Sequence, residues 1–321
     1  MRPWRAVEAA AAASGRPGGR GRRGCERPTG RSATFGDTES VTEPSSPLVD
    51  VASLAERLGS ANLVVADVRW YLGKPGEGRR RYAEAHIPGA VFVDLDRDLA
   101  AHDGPGRHPL PTVAEFAARM GGLGIGDADE VVAYDDVGGT VAARLWWMLD
   151  VLGRRAGVLD GGLRAWEAAG LPVTRDIASR RATTFTASVD AWPRTVDRET
   201  LKSRLGSVVV LDARAGARYR GETEPVDPVA GHIPTAISSP ADANLDPAGR
   251  FLSRATLRDR FAALGDDFVT SCGSGVTACH NALAMRVAGL PDPILYPGSY
   301  SDWSRSGERV VAGPEPGSPE G

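Results

Sequence analysis

A chain of 321 residues, 42% hydrophobic and 25% charged, is long enough for two globular domains and ordinary in composition for them. No stretch approaches the roughly 18 consecutive apolar residues that a membrane-spanning helix needs, and a net charge of -3 gives no reason to expect nucleic acid, so neither partner is expected. Three cysteines, Cys25, Cys272 and Cys279, are too few for a disulfide framework and fit a reducing compartment, which makes a cytoplasmic location the expectation.

Charge is unevenly placed along the chain. Residues 1–36 hold eight Arg against two acids, Glu8 and Glu26, and are rich in Gly and Ala without apolar periodicity. Such a segment buries too little surface to fold, so residues 1–47 read as a disordered basic leader, with organelle targeting as the alternative use of an Arg-rich, acid-poor start.

From residue 48 the elements come twice. The first half, residues 48–175, opens with the apolar run Asn62–Asp67 followed by Arg69, then reaches His86-Ile87-Pro88. The run Glu130–Tyr134 reads as a buried strand ending at Asp135, with a Gly-containing loop and a helical run from Val141 to Leu152 behind it. Val158–Gly161 and Trp166 close the half. Residues 176–195, rich in Thr, Ser and Arg, are the expected linker. The second half, residues 196–310, repeats the order. Val208–Asp212 is followed by Arg214, then by His232-Ile233-Pro234. The strand Asp267–Ser271 ends at Cys272, a helical run spans Val276 to Ala288, and Leu295–Gly298 precedes Trp303. The Asp-x-Arg pairs stand 145 residues apart and the His-Ile-Pro triplets 146. Residues 311–321 read as a disordered tail. Short apolar strands alternating with helices indicate α/β architecture, in which each half is a mainly parallel sheet covered by helices on both faces.

The duplication isolates the chemistry. Ligands of open parallel sheets gather at the carboxyl ends of strands, where the second half has Cys272 and the first has Asp135, which is no thiol. In Cys272-Gly273-Ser274-Gly275-Val276-Thr277 a strand stops, glycines bend the chain and a helix begins. The amides of Gly273 to Thr277 are placed to point inward as an anion-binding nest. A thiol in such a cradle should ionise readily and act as a nucleophile, holding a transferred sulfur as a persulfide stabilised by the same amides.

Other candidates have plainer readings. Cys279, nearly two helical turns beyond Cys272, is expected to be a small core residue. His86 and His232 recur where only one half has the thiol, so a shared structural task is expected. Asp67–Arg69 and Asp212–Arg214 read as scaffold ion pairs, Trp146, Trp147, Trp166 and Trp303 as packing residues, and Arg79–Arg81 as a solvated loop. No metal or nucleotide motif is present, and no cofactor is expected.

The loop from Cys272 to Ala278, with both His-Ile-Pro motifs and both Gly…Trp segments, resembles the rhodanese family of sulfurtransferases, and the loop is similar to its mercaptopyruvate branch. The basic pair that usually follows Cys in the thiosulfate branch is absent. The resemblance covers nearly all of residues 48–310. It implies two tandem rhodanese-like domains, the first non-catalytic and the second catalytic. It further implies a small anionic donor, 3-mercaptopyruvate or thiosulfate, and a thiophilic acceptor: cyanide, a thiol or a thioredoxin-like reductant. It places an anion-binding Arg at Arg218 and suggests a Ser274–His86 proton relay as the functional alternative for that histidine. The second Arg usual shortly before Gly-His-Ile-Pro is missing from Glu224–Pro228, which leaves the donor open. A persulfide carrier without turnover is the rival reading. A Cys-dependent phosphatase is disfavoured, because the sixth residue after Cys272 is Ala278 rather than the Arg that clamps phosphate.

Overall fold

The structure is a computed structural model and describes residues 46–320 apart from 263 and 266. The leader expected over residues 1–47, Cys25 included, lies outside the described residues but for its last two.

The strands expected from the apolar runs form, and three two-residue strands that the sequence did not signal, at residues 48–49, 91–92 and 237–238, join them. The first half contains β1 (Leu48–Val49), β2 (Leu63–Asp67), β3 (Val91–Phe92), β4 (Glu130–Tyr134) and β5 (Ala156–Leu159). The second contains β6 (Val209–Asp212), β7 (Ile237–Ser238), β8 (Phe268–Ser271) and β9 (Ile294–Leu295). Every ladder is parallel, in the orders β1-β5-β4-β2-β3 and β7-β6-β8-β9. Superposing the halves matches β5-β4-β2-β3 to β9-β8-β6-β7. The place of β1 is taken in the second half by Thr195, which bridges Leu295 in parallel sense, while Val196 N donates to Leu295 O at 2.9 Å. The far end of the expected linker therefore completes a sheet. Earlier in that segment Phe185 is buried against Phe116, and Trp192 packs on Phe116 and Trp147.

Strands buried on both faces read as continuous apolar runs because alternate side chains serve different layers. Leu63, Val65, Val132 and Tyr134 face one cluster with Trp166, whereas Val64, Ala66, Val131 and Ala133 face another. This second cluster also takes Leu211 and Phe268 from the other half. At its centre lie the helices Ala142–Val151 and Ala278–Ala288, buried on almost every side. The two halves thus share one core, in which each fully buried Leu, Val or Met contributes roughly 1.5–3 kcal/mol. Trp146, Trp147, Trp166 and Trp303 are all buried, as packing residues should be.

Two expectations change. Residues 311–320 do not trail away: Val311 and His232 exchange backbone hydrogen bonds of 2.7 and 3.0 Å, and Thr235 N donates to Pro316 O. This mirrors the 2.8 and 3.0 Å pair between His86 and Thr174 in the first half. Backbone pairing, not side-chain burial, fixes the tail, so its polar composition concealed it. Arg79–Arg81 lie in a helix, Glu77–Glu84, rather than a loop. Glu77 pairs with Arg80 and Arg81, and Arg79 sits over the Phe92 ring.

Candidate active site

β8 delivers Cys272 to the bottom of a tight turn. Its Sγ accepts from the amides of Gly275 at 3.1 Å and Ser274 at 3.4 Å. The amides of Val276 and Thr277 have no protein acceptor among the described residues. Gly275 makes the turn possible: it sits at φ +75°, and a Cβ there would lie 2.4 Å from the Pro297 carbonyl oxygen. A second segment clamps the turn from behind. Tyr300 N and Ser301 N donate to the Cys272 and Gly273 carbonyls, each at 2.9 Å. Cys272 N donates to Ser299 Oγ at 3.1 Å, with Ser299 itself held at φ +52°. Only 2% of Cys272 is exposed and the residue packs with the shared core, yet it also lines a cavity of about 300 Å³.

The equivalent turn in the first half shows what this backbone prefers to hold. Asp135 fills it with its own carboxylate: Oδ1 accepts from Val137 and Gly139, and Oδ2 from Val141 and Ala142, at 2.7–3.0 Å. One half neutralises its amide nest internally. The other offers a sulfur atom and leaves amides free.

Arg218 lines the Cys272 cavity, as the resemblance implied, together with Trp70, Val141, Arg214 and a residue the sequence reading missed, Arg107. Arg107 comes from the first half's loop between the helices Leu95–Asp98 and Val113–Gly122, crosses to the other half and pairs with the buried Asp227. Asp227 also holds Arg218 at 3.1 Å, and Glu224 holds Arg218 at 2.6 Å and Arg214 at 3.3 Å. Arg214 in turn pairs with Asp212 at 2.6 Å, and Arg69 with Asp67 at 2.6 Å, the repeated scaffold pairs expected of Asp-x-Arg. Arg107 itself had no signal in the sequence, since Asp103–His108 repeats in the second half as Asp246–Phe251 with Arg250 in its place; His108 did, because Phe251 stands at the matching position and whatever breaks a duplication is a candidate for function.

The relay expected between Ser274 and His86 does not form. His86 is fully buried, its ring 2.7 Å from the Tyr82 carbonyl and 3.1 Å from the Asp176 carbonyl, and it stacks on Tyr82. His232 repeats this arrangement with Tyr219 and Glu315. Both histidines therefore hold a returning chain segment. The histidine that meets Ser274 is His108, Nδ1 to Oγ at 2.8 Å, with its Nε2 3.2 Å from Asp96 Oδ1. Trp70 Nε1 donates to the same carboxylate at 2.9 Å and its ring meets His108 edge-on. The hydrogen bond from His108 holds the Asp96 carboxyl below the usual carboxylate range.

Beneath the loop, Arg144 is fully buried and donates to the carbonyls of Gly275 at 2.9 Å, His108 at 3.2 Å and Leu99 at 3.3 Å. Burial pulls its guanidinium below the ordinary value. Cys279 Sγ also points at the Gly275 carbonyl, and burial pushes its thiol up to about 12. It is an inert core residue, as expected. Among the described residues no cluster of His, Cys, Asp and Glu could hold a metal, and no helix is long and apolar enough to cross a membrane.

Comparison with known proteins agrees with this geometry. The rhodanese-like domain family matches twice, at residues 50–169 and 197–306. A probable 3-mercaptopyruvate sulfurtransferase of Pseudomonas aeruginosa is 48% identical over 280 residues, covering 84% of this chain and 98% of that one. The putative thiosulfate sulfurtransferase SseB of Mycobacterium tuberculosis is 40% identical, covering 82% of this chain and 96% of that one. Among solved structures, the Escherichia coli 3-mercaptopyruvate sulfotransferase SseA matches with a TM-score of 0.70 at 30% identity, over 80% of this chain and all of that one. With a duplicated α/β fold, one intact cysteine loop and these relatives, the chain belongs to the rhodanese family, as a two-domain sulfurtransferase.

Proposed function

We propose that Cys272 carries the sulfur as a persulfide and that the preferred donor is 3-mercaptopyruvate. The observation that carries the persulfide is the pair of amide bonds to Cys272 Sγ beside two further amides without acceptors. Val276 and Thr277 line the same cavity as Cys272, so their unpaired amides are available to an outer sulfur added there, and such preorganised donors favour the anionic form. In the first half-reaction the Cys272 thiolate attacks the donor sulfur. The new S–S bond forms as the donor's C–S bond breaks, its electron pair passes to carbon, and the donor's thiol proton ends on that carbon, giving Cys–S–S⁻ and pyruvate. In the second, cyanide or a thiol such as a thioredoxin-like reductant attacks the outer sulfur and the Cys272 thiolate leaves.

The donor preference rests on the Asp96–His108–Ser274 chain. Cleaving a C–S bond leaves an enolate that must be protonated, and the chain ends two residues from the nucleophile at a hydroxyl able to pass a proton. Thiosulfate releases sulfite and needs no such proton. The test is thiocyanate formation from each donor with cyanide, together with intact mass. Wild-type protein should gain one sulfur on Cys272 and turn over 3-mercaptopyruvate with the higher kcat/KM. Cys272→Ser should gain none. A sulfur retained by Cys272→Ser refutes the nucleophile, stoichiometric loading without turnover refutes catalysis in favour of a carrier, and a thiosulfate preference refutes the donor.

A further inference from the structure

Arg144 is a buried cation without a carboxylate. Among the described residues its guanidinium pairs with no acid and donates only to the carbonyls of Gly275, His108 and Leu99, with Nε left without an acceptor. An unpaired buried charge costs several kcal/mol, so its countercharge must be sought elsewhere. The neighbouring Cys279 thiol, pushed up to about 12, stays protonated and supplies none. The duplication explains the placement. Arg144 is the third residue of the helix Ala142–Val151, and His280 is the third residue of the helix Ala278–Ala288. Each crosses to the other half and meets the same carbonyl there. Arg144 Nη1 donates to Gly275 O, three residues beyond Cys272, at 2.9 Å. His280 Nε2 lies 3.0 Å from Gly138 O, three residues beyond Asp135. The two glycines share a conformation, with φ of +75° and +74°. His280 Nδ1 accepts from Asn244 Nδ2, so Nε2 carries the proton and donates.

A planar trans peptide carries its N–H on the side opposite its C=O, so a donor that grips the carbonyl from one side aims the next residue's amide to the other. The first half shows the whole arrangement with its anion in place. His280 holds the Gly138 carbonyl, and the Gly139 amide of that same peptide donates to Asp135 Oδ1 at 2.8 Å. In the second half Arg144 holds the Gly275 carbonyl, and the amide of the same peptide belongs to Val276. That amide has no protein acceptor among the described residues, and Val276 lines the cavity beside Cys272. We infer that Arg144 is a positioning residue supplied by the first half, which aims and polarises the Gly275–Val276 peptide so that the Val276 N–H meets the outer sulfur of a Cys272 persulfide. The inference rests on the persulfide reading for its anion but not for the tether. Opposite the permanent carboxylate of Asp135 a neutral donor suffices, and burial holds the His280 imidazole down to about 4. Where the anion comes and goes with each turnover, a fixed positive charge stands instead, and a charged donor at one end of a peptide strengthens the hydrogen bond at the other.

The test loads the outer sulfur without any donor turnover. Methyl methanethiosulfonate converts the Cys272 thiolate to a methyl disulfide and releases methanesulfinate. Hydrosulfide then attacks the cysteine sulfur, methanethiolate leaves, and loss of the remaining proton gives Cys–S–S⁻. Alkylation by iodoacetamide against pH, read on the Cys272 fragment by mass spectrometry, gives an ionisation midpoint for the loaded and the unloaded residue. In Arg144→Met the loaded midpoint should rise by about one pH unit, a tenfold change. The unloaded midpoint should move less than half as far, because the Ser274 and Gly275 amides that reach Sγ stay in place. Arg144→Lys, which keeps the charge and a donor, should restore most of the difference. The other charged groups around the sulfur are the same in every variant: Arg107, Arg214 and Arg218 with Asp212, Glu224 and Asp227, and His108 with Asp96. If Arg144→Met folds poorly, wild-type protein decides by amide NMR: on loading, the Val276 N–H should move downfield more than any other amide of the turn. Equal midpoint shifts with and without the outer sulfur, no shift at all, or an unmoved Val276 amide would overturn the inference and leave Arg144 a packing residue. A wild type that transfers no sulfur from 3-mercaptopyruvate or thiosulfate, yet shows these shifts after chemical loading, would instead refute the proposed reaction and leave the tether standing.

Discussion

Replacing Gly275 by Ala tests the loop most directly, because the substitution adds a single carbon where the turn has no room. Gly275 sits at φ +75°, and the added Cβ would lie 2.4 Å from the Pro297 carbonyl oxygen. A carbon and a carbonyl oxygen rest at about 3.3 Å, so the segments must part by about 0.9 Å. That displacement acts on the same residue whose amide reaches Cys272 Sγ at 3.1 Å. The left-handed conformation alone costs an alanine about 1–2 kcal/mol, and the clash should bring the total to roughly 2–4 kcal/mol. Losing one preorganised donor at the developing anion should lower kcat by about 10²–10³. Gly59→Ala is the control: it shares the positive φ, at +85°, with nothing within 4 Å of the new Cβ. It should lose the conformational term only and keep full turnover. Urea unfolding and steady-state kinetics on the two variants separate the terms. Equal stability losses with unchanged turnover in both would show that the Gly275 turn is not what holds the sulfur.

Four further outcomes follow from the geometry. His108→Asn should lower kcat with 3-mercaptopyruvate by about 10² while barely changing turnover of thiosulfate, whereas His86→Ala should keep both rates and lose about 1–3 kcal/mol of stability in denaturant titration. Iodoacetamide at pH 8 should modify Cys272 and leave Cys279 untouched by fragment mass spectrometry, since burial holds the Cys279 thiol near 12. Asp135→Asn turns a donor toward amides that need an acceptor and should destabilise the fold by about 2–4 kcal/mol in urea, without loss of Cys272 alkylation. The Asp96 carboxyl is held below its ordinary range, so its contribution to stability is present above that range and is lost as pH falls through its folded value. Asp96→Asn should flatten that part of an acid unfolding curve.

The central strands were readable because β2, β4 and β8 are buried on both faces and so appear as unbroken apolar runs, whereas the two-residue edge strands β1, β3 and β7 gave no such run; the expected Glu130–Tyr134 coincides with β4. The proposed nucleophile stood out because Cys272 lies at a strand end in a loop with two glycines. Contacts that join distant segments by backbone or by one polar atom were not. The tail pairs with His232 through main-chain atoms, which every residue carries, so its composition gave no sign. The relay was assigned to His86 because its His-Ile-Pro motif repeats and draws attention, and His108 was not considered, yet repetition marks what both halves need to fold. Arg107 and His108 sit in a Gly- and Pro-rich stretch that reads as loop, and only the tertiary fold brings them to residues 227 and 274.

That asymmetry suggests how a duplicated domain divides its work. A parallel sheet of this kind makes an amide nest at the end of its central strand whichever residue occupies it, and the nest needs an anion. In the first half Asp135 satisfies it permanently through four amides, which commits that nest to stability. Freed from holding a ligand of its own, the same half sends three side chains to the other's loop. Arg144 fixes the Gly275 carbonyl from below, His108 meets Ser274, and Arg107 reaches over Gly273. Each acts on a different part of one turn: its backbone, its hydroxyl and its open face. An isolated second half would keep the cysteine and the amides but lose the buried cation, the proton path and one guanidinium, while exposing the apolar core shared through the helices Ala142–Val151 and Ala278–Ala288. On the proposed reading the first half is therefore part of the active site, contributing Arg144, His108 and Arg107 to the cysteine turn.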